Sequence, residues 1–92
     1  MKYRAKFTSR FLREYKIMQR RGENMKLLNG VVDMLLSGKP LPANYKDHAL
    51  KGEYEGAREC HIKPNWLLVY AIKESILVLT FMRTGSHSDL FG

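Results

Sequence analysis

Apolar positions follow two different spacings in the first half of the chain. Residues 3–7 alternate between apolar and charged side chains, which predicts an amphipathic β-strand. Apolar residues then recur every three or four positions in two segments, Phe11, Leu12, Tyr15 and Met18, followed by Leu28, Val31, Val32, Leu35 and Leu36. Thr8 or Ser9 can cap the first helix and Asn24 the second, with Gly22 between them as a stop. We predict two short helices packed as an antiparallel hairpin.

The second half of the chain is typical of β-strands preceded by a long loop. Residues 39–55 are irregular and polar, and a loop of this length in a small domain is often functional. Three strands are then predicted, at residues 57–63, 66–73 and 76–83. The second and third are apolar on both faces, which indicates central positions in a sheet. Thr84-Gly85 should end the last strand, and residues 86–92 should form a tail of about one helical turn, too short to be firmly anchored.

This order of elements predicts an α+β fold in a single domain spanning residues 1–92. The three C-terminal strands should form an antiparallel meander, which the first strand joins to complete an antiparallel sheet. The helix hairpin then covers one face of that sheet. The opposite face is left with the polar side chains, and we look there for function.

Composition narrows the class of protein. Hydrophobic residues make up 45% of the 92 residues and charged residues 27%, which is typical of a globular chain. No apolar run approaches the roughly 20 residues of a membrane span, and the N-terminus lacks a signal-peptide pattern. The single cysteine, Cys60, cannot form an internal disulfide, which fits a reducing cytoplasm. We expect Cys60 to face the helices as a small apolar residue.

The net charge of +7 lies entirely in the first half of the chain, where ten Lys and Arg outnumber three Asp and Glu. A concentrated basic surface suggests a polyanionic partner, either RNA or an acidic protein segment. The alternative is a solvated helix surface, and charge alone does not choose between them. The residues expected to make such contacts include Arg10, Arg13, Lys16, Arg20 and Arg21.

Three histidines, His48, His61 and His87, each lie beside other polar residues, and Arg83 lies at the end of the last predicted strand. This set of residue types suits RNA cleavage. The 2′-hydroxyl of RNA needs a base, the leaving 5′-oxygen needs an acid, and histidine serves both because its ordinary pKa of about 6.5 is close to neutrality. An arginine can stabilise the charge that develops on the phosphate. An aromatic side chain such as Trp66 or Phe91 can stack on an unpaired base.

Each of these residues also has a structural interpretation. The histidines can be ordinary loop, strand and tail residues, and Arg83 can pair with Glu59 or Asp89. Asn65 suits a turn after Pro64, and tryptophan is commonly a core residue. A zinc site is disfavoured because the spacings of 13 and 26 residues between the histidines match no compact ligand pattern. We therefore expect neither a metal nor another cofactor.

Three motifs in the second half carry a resemblance to a known family. They are Lys46-Asp47-His48-Ala49-Leu50, then Arg58-Glu59-Cys60-His61 followed by Pro64-Asn65-Trp66, and finally Arg83-Thr84-Gly85-Ser86-His87 with Leu90-Phe91. In this order they resemble the YafQ branch of the RelE-type toxins of bacterial toxin–antitoxin pairs. The resemblance is close over residues 45–91, whereas the helix hairpin matches only in pattern and length.

The resemblance assigns roles by position. It implies a RelE-like sheet with a catalytic cluster of His48, His61, Arg83 and His87, in which His87 is the main acid/base residue and Arg83 stabilises phosphate charge. It also implies substrate contacts by the residues Lys46, Trp66 and Phe91. Asn65 stands where the family usually has aspartate, and the loss of that charge bears on catalytic strength.

The resemblance also implies a function and its partners. The chain would be a metal-independent endoribonuclease that enters the ribosomal A site and cuts mRNA there, contacting ribosomal RNA. A cognate antitoxin would neutralise it by covering the polar sheet face or displacing the tail, and operator DNA would be bound only through that complex. Two alternatives stay open: a catalytically weakened RNA- or ribosome-binding module, and an antitoxin-binding or DNA-regulatory subunit without activity.

Overall fold

A computed structural model describes residues 1–92, which form one five-stranded sheet and three α-helices. The strands are β1 (Arg4–Phe7), β2 (His48–Ala49), β3 (Arg58–Lys63), β4 (Trp66–Lys73) and β5 (Val78–Gly85). The helices are α1 (Ser9–Arg20), α2 (Met25–Leu36) and α3 (His87–Phe91). The sheet order is β1-β5-β4-β3-β2. The α+β class is confirmed, and the sheet is antiparallel except where β1 pairs with β5 in parallel at one edge.

Both helices of the hairpin begin at the predicted caps. The Thr8 hydroxyl accepts a hydrogen bond from the backbone N–H of Phe11, and the Asn24 side chain accepts one from that of Lys26. Gly22 follows α1 with a φ of +84°, a conformation that favours glycine. The predicted stripe of α2 is buried in full, at Leu28, Val31, Val32, Leu35 and Leu36. In α1, by contrast, the predicted core position Leu12 is half exposed.

The central strand β4 separates two unequal apolar clusters. Alternate side chains of the sheet, among them Cys60 and Leu68, pack with the two long helices in the main core. Leu67 and Val69 point to the other face, where Leu90 of α3 helps to cover them. The predictions that Cys60 faces the helices and that β4 is central are therefore confirmed. None of the helices is both long and apolar enough to cross a bilayer.

One strand and both ends of another differ from the sequence prediction. The irregular segment 39–55 contains the short strand β2 and two 3₁₀ turns, so a fifth strand was missed. The last strand begins at Val78 rather than residue 76, because Ile76 and Leu77 form an exposed turn. It also runs on through Gly85 instead of ending before it, because Gly85 still pairs with Leu67 of β4.

Candidate active site

The structure brings the three histidines together on the sheet face opposite the helix hairpin. His48 lies in β2 and pairs with Glu59 of β3. Glu59 is two residues before His61 on the same strand, so the two side chains share a face of the sheet. The short helix α3 folds back and carries His87 to the same place. The ring centroids of His48 and His61 are 6.4 Å apart, and those of His61 and His87 are 5.7 Å apart. The three rings therefore form a continuous row, which we call the histidine row.

A buried carboxylate lies under two of these rings. Oε1 of Glu59 is 3.5 Å from Nε2 of His48 and 3.7 Å from Nε2 of His61, and the Glu59 side chain is only 6% exposed. Its second oxygen, Oε2, is buried without a hydrogen-bond partner. A buried carboxylate held this way is stabilised by positive charge nearby. Glu59 thus places a buried carboxylate beside both the His48 ring and the His61 ring.

Backbone carbonyls fix the orientation of the same two rings. Nδ1 of His48 is 2.7 Å from the Lys46 carbonyl oxygen, and Nδ1 of His61 is 3.4 Å from that of Pro64. Because a carbonyl oxygen only accepts, each Nδ1 carries a hydrogen and donates it. Each Nε2 then faces Glu59, and that contact is attractive only when Nε2 is also protonated. The backbone carbonyls and Glu59 together fix the orientation of both rings.

The third ring is held by the residue that departs from the family pattern. Oδ1 of Asn65 accepts a hydrogen bond from the backbone N–H of His87 at 3.0 Å and lies 2.7 Å from Nδ1 of the His87 ring. Because the backbone N–H must donate, the atom facing it is the amide oxygen, and Nδ1 must donate too. The neutral His87 ring therefore presents its lone pair on Nε2. That is the form a general base requires.

Arg83 does not occupy the position expected of a phosphate ligand. Its guanidinium is buried, and all five of its N–H groups have acceptors. Two go to the Glu14 carboxylate at 2.5 and 3.2 Å, one to the Tyr54 hydroxyl at 2.9 Å, and the others to the carbonyls of Asp89 and Leu90 at 3.3 Å. The hydrogen bonds with Glu14 raise the pKa of Arg83. With every donor engaged inside the protein, Arg83 has none free for a phosphate in this arrangement.

The tail is anchored far more firmly than expected. Ser86 and Asp89 form a reciprocal capping box at the start of α3. Arg21 of the α1 C-terminus donates two hydrogen bonds to the Asp89 carboxylate, at 2.6 and 3.0 Å. These hydrogen bonds hold the pKa of the Asp89 carboxyl well below its usual range. Leu90 of α3 is buried against Leu67 and Val69 of the sheet. The prediction of a loosely attached tail was therefore wrong.

The three residues expected to contact substrate lie in different environments. Lys46 is exposed, and its φ of +51° is uncommon for a residue with a side chain. Phe91 is 49% exposed, with its ring edge-on to Tyr54 at 6.0 Å, so one face is available for stacking. Trp66 has no exposed surface, and its indole N–H donates to the Thr84 hydroxyl at 2.9 Å. The expected substrate contact is therefore corrected for Trp66, which is a core residue.

Three acidic residues near the candidate active site, Glu14, Glu59 and Asp47, were given no part in the site by the sequence analysis. Glu14 shares a face of α1 with the apolar Phe11, which was the available signal. Glu59 alternates with Cys60 along β3, which placed it on the face of His61. Asp47 accepts hydrogen bonds from the Tyr70 hydroxyl at 2.6 Å and from Nε of Arg58 at 3.3 Å, and so pins the loop that carries His48.

The arrangement provides acid/base groups rather than an evident metal centre. No set of three or more His, Cys, Asp or Glu side chains is arranged to hold a metal ion. The histidine row combines a ring with a free Nε2 lone pair and two rings beside a carboxylate. Such a set can remove one proton and supply another across a distance of one phosphate group.

Comparison with known proteins identifies the family. The model of the YafQ family, described as bacterial toxins of type II toxin–antitoxin systems, matches residues 3–92. The mRNA interferase toxin YafQ of Escherichia coli K12 is 37% identical over 87 residues, covering 94% of this chain and 92% of the relative.

Solved structures agree in fold. The crystal structure of YafQ from E. coli BL21(DE3) superposes with a TM-score of 0.92 at 34% identity, covering 98% of this chain and 99% of the other. YafQ in the E. coli DinJ–YafQ complex gives 0.90 at 35% identity, with the same coverage. A metal-bound toxin from Helicobacter pylori gives 0.90 at 44% identity, covering 99% and 100%. With the family model spanning nearly the whole chain, this protein belongs to the YafQ family of type II toxins.

Proposed function

We propose that this chain is the toxin of a toxin–antitoxin pair and a ribosome-dependent endoribonuclease that cuts mRNA in the ribosomal A site. Family membership supports the toxin role, since relatives are named mRNA interferases. The observation that carries the catalytic part is the hydrogen-bonded pair of Asn65 and His87 beside His61. The hydrogen bond fixes the tautomer of the His87 ring, so that its Nε2 can act as a base. The neighbouring His61 ring can supply a proton.

The proposed reaction uses the histidine row as an acid/base pair. Nε2 of His87 removes the proton of the 2′-hydroxyl, and the resulting oxygen attacks the adjacent phosphorus. The bond from phosphorus to the 5′-oxygen breaks, and that oxygen takes a proton from Nε2 of His61. The products are a 2′,3′-cyclic phosphate and a 5′-hydroxyl, so the protons balance without a metal. His48 and Glu59 flank the acid ring and help to orient it.

Arg83 takes a different part in this proposal from the one its motif implies. Its contacts with Glu14 and with the carbonyls of α3 hold His87 and Phe91 in place. It is a positioning residue that acts through the tail. Phosphate charge is instead met by Lys46 and by the histidine that serves as acid, and Phe91 offers a ring on which an mRNA base stacks.

The proposed partners follow from the family and the charge distribution. A cognate antitoxin binds the folded toxin, by analogy with E. coli YafQ in its complex with DinJ. The ribosome and its mRNA are the other partners, and operator DNA is contacted only through the antitoxin complex. The basic surface of α1 suits both ribosomal RNA and an acidic antitoxin segment.

A second candidate function is favoured by two observations at the site. Asn65 carries no charge, and Arg83 is fully engaged within the protein. A chain with this site can bind the ribosome or the antitoxin while cutting slowly or not at all. The candidate is thus a binding module on the same fold.

The two candidates are separated by mapping mRNA ends. Purified protein is added to ribosomes stalled on a defined mRNA and, separately, to the same mRNA without ribosomes. We expect cleavage only in the ribosome sample, equal for toxin that was stripped with EDTA and desalted before mixing, absent in His87→Gln and unchanged in the control Lys51→Met. Ribosome binding without cleavage supports the binding module instead. Cleavage of free mRNA at an equal rate rejects ribosome dependence, and loss of cleavage by the EDTA-stripped toxin rejects the metal-free reaction.

A further inference from the structure

A cavity of about 300 Å³ opens beside His61, the middle ring of the histidine row. It is the largest of the four cavities in the surface and is lined by Asn44, Lys46, His61, Ile62, Lys63 and Pro64. Only one of these residues is hydrophobic. Its size lies at the lower end of small-ligand clefts, and its lining of two lysines, an amide and an imidazole suits an anionic, hydrogen-bonding ligand.

The backbone at one wall of this cavity is held in an uncommon conformation. Lys46 has φ +51° and ψ +41°, at the end of the 3₁₀ turn of residues 43–45. Non-glycine residues in this region cost free energy and persist where the surrounding structure fixes them. Here the carbonyl of Lys46 orients the His48 ring while its side chain lines the cavity. One residue thus links the histidine row to the cavity.

The opposite wall carries a lysine that is already partly neutralised. Nζ of Lys63 lies 3.0 Å from Oε1 of Glu23, in the loop between α1 and α2. The Lys63 side chain is half exposed, so an exposed ion pair of this kind is weak and easily exchanged for another anion. Glu23 therefore acts as a competitor for any phosphate that enters the cavity.

We propose that this cavity binds the nucleotide next to the scissile phosphate, with its backbone phosphate between Lys46 and Lys63 and its base edge facing the Asn44 amide. The inference rests on the proposed function, because it takes the histidine row as the place of cleavage. It adds a subsite beside the middle ring of the row. RNA then runs across the sheet face from the α3 side to the 3₁₀ turn.

The test uses a short 2′-O-methyl oligonucleotide, which lacks the attacking hydroxyl and stays uncut. Titration into the ¹⁵N-labelled protein should shift the amide resonances of residues 44–46 and 61–63. Lys63→Met and Lys46→Met should each weaken binding by roughly three- to tenfold. Each should also reduce the slope of log K against log salt by about 0.7. Glu23→Gln should tighten binding, which a merely structural ion pair would not do, and Lys51→Met should change nothing.

Shifts confined to other parts of the surface, or none at millimolar oligonucleotide, overturn the subsite. So do Lys46→Met and Lys63→Met variants that bind as tightly as Lys51→Met. These results are independent of cleavage, because the probe cannot react. If the subsite fails while the ribosome assay shows cleavage, the proposed function stands with a different path for the RNA. If the subsite binds and no cleavage occurs, the binding module is favoured.

Discussion

Glu14 and Arg83 form a bidentate ion pair, with N–O distances of 2.5 and 3.2 Å, that ties the middle of α1 to the end of β5 beneath α3. Both side chains are largely buried. The pair explains how a five-residue helix at the C-terminus can hold His87 in a defined position, because the same guanidinium also binds two carbonyls of that helix. The candidate active site is thus supported from the opposite side of the sheet edge, by the helix hairpin.

Removal of the Glu14 carboxylate should lower both the stability of the fold and the rate of mRNA cleavage. In Glu14→Ala the guanidinium of Arg83 stays buried without its main partner, and breaking a buried pair in this way costs roughly 3–5 kcal/mol. We expect the free energy of unfolding in urea to fall by about that amount and mRNA cleavage to fall because α3 loosens. Glu55→Ala, which removes an exposed carboxylate, is the matched control. A change within about 0.5 kcal/mol for Glu14→Ala would show that the pair is dispensable.

Asp89 should make the attachment of α3 sensitive to acid. Its hydrogen bonds from Arg21 and from the Ser86 backbone lower its pKa in the folded state. A carboxyl with a lowered folded-state pKa contributes stability that is complete above its unfolded value of about 3.9 and is lost as pH falls toward the folded value. The stability difference between the parent and Asp89→Asn should therefore be constant from pH 7 to 5 and shrink below about pH 4.

Urea unfolding at several pH values measures this difference directly. Asp33→Asn removes an exposed carboxylate on α2 and serves as the control, with a much smaller difference at every pH. If the Asp89→Asn difference does not change between pH 5 and the lowest pH at which both proteins fold, the ion pair with Arg21 does not govern the acid response.

The exposed cations of α1 should steer the protein to the ribosome. Arg10, Arg13 and Lys16 form no ion pairs within the chain, whereas Arg21 is occupied by Asp89 and is therefore kept intact in this test. Reversing the three free charges to glutamate should weaken ribosome binding. The slope of log K against log salt should become shallower by up to about 2, if each charge contacts a phosphate.

A second variant controls for net charge in the ribosome experiment. Reversal of Lys39, Lys51 and Lys73, which lie outside the helices, changes the total charge equally and should alter binding less. Equal losses in the two variants would mean that net charge, and not the α1 surface, determines association. Unchanged binding in the α1 variant would reject the role outright.

Periodicity in the sequence was enough to predict most of the fold. The stripe of α2 and the doubly buried strand β4 follow directly from where apolar residues recur, because burial decides both patterns. The strand β2 could not be seen, since two residues give no period and only their pairing with β3 defines them as a strand. The start of β5 was misplaced because Ile76 and Leu77 are apolar yet lie in an exposed turn.

The site was predictable in its members but not in their roles. Chemistry and resemblance pointed to His48, His61 and His87, which the structure brings together. The same reasoning could not show that Arg83 is hydrogen-bonded to Glu14, because the two residues are 69 positions apart and meet only in the folded chain. Motif residues identify a place in the fold, and the surrounding contacts decide which of them faces solvent.

The role of Asn65 gives the sharpest test of the proposed mechanism. Its amide oxygen accepts from both the backbone and the ring of His87, so it sets the tautomer in which Nε2 carries the lone pair. Asn65→Ala removes that acceptor, and we expect cleavage to fall. Asn65→Asp keeps the acceptor and adds a charge that stabilises the imidazolium formed when His87 takes the proton. Cleavage should then rise.

The size of the Asn65→Asp effect follows from the strength of the bond that changes. A hydrogen bond to a charged group contributes roughly 1.5–3 kcal/mol, which corresponds to about one to two decades in rate if it is fully expressed in the transition state. Single-turnover cleavage on stalled ribosomes, measured across pH, should show the increase together with a shift of the pH profile. A structural role limited to the turn after Pro64 predicts instead that aspartate, which suits that turn equally, leaves both rate and profile unchanged. That outcome, combined with an unaltered Asn65→Ala variant, would remove Asn65 from the mechanism and leave His87 without a defined tautomer.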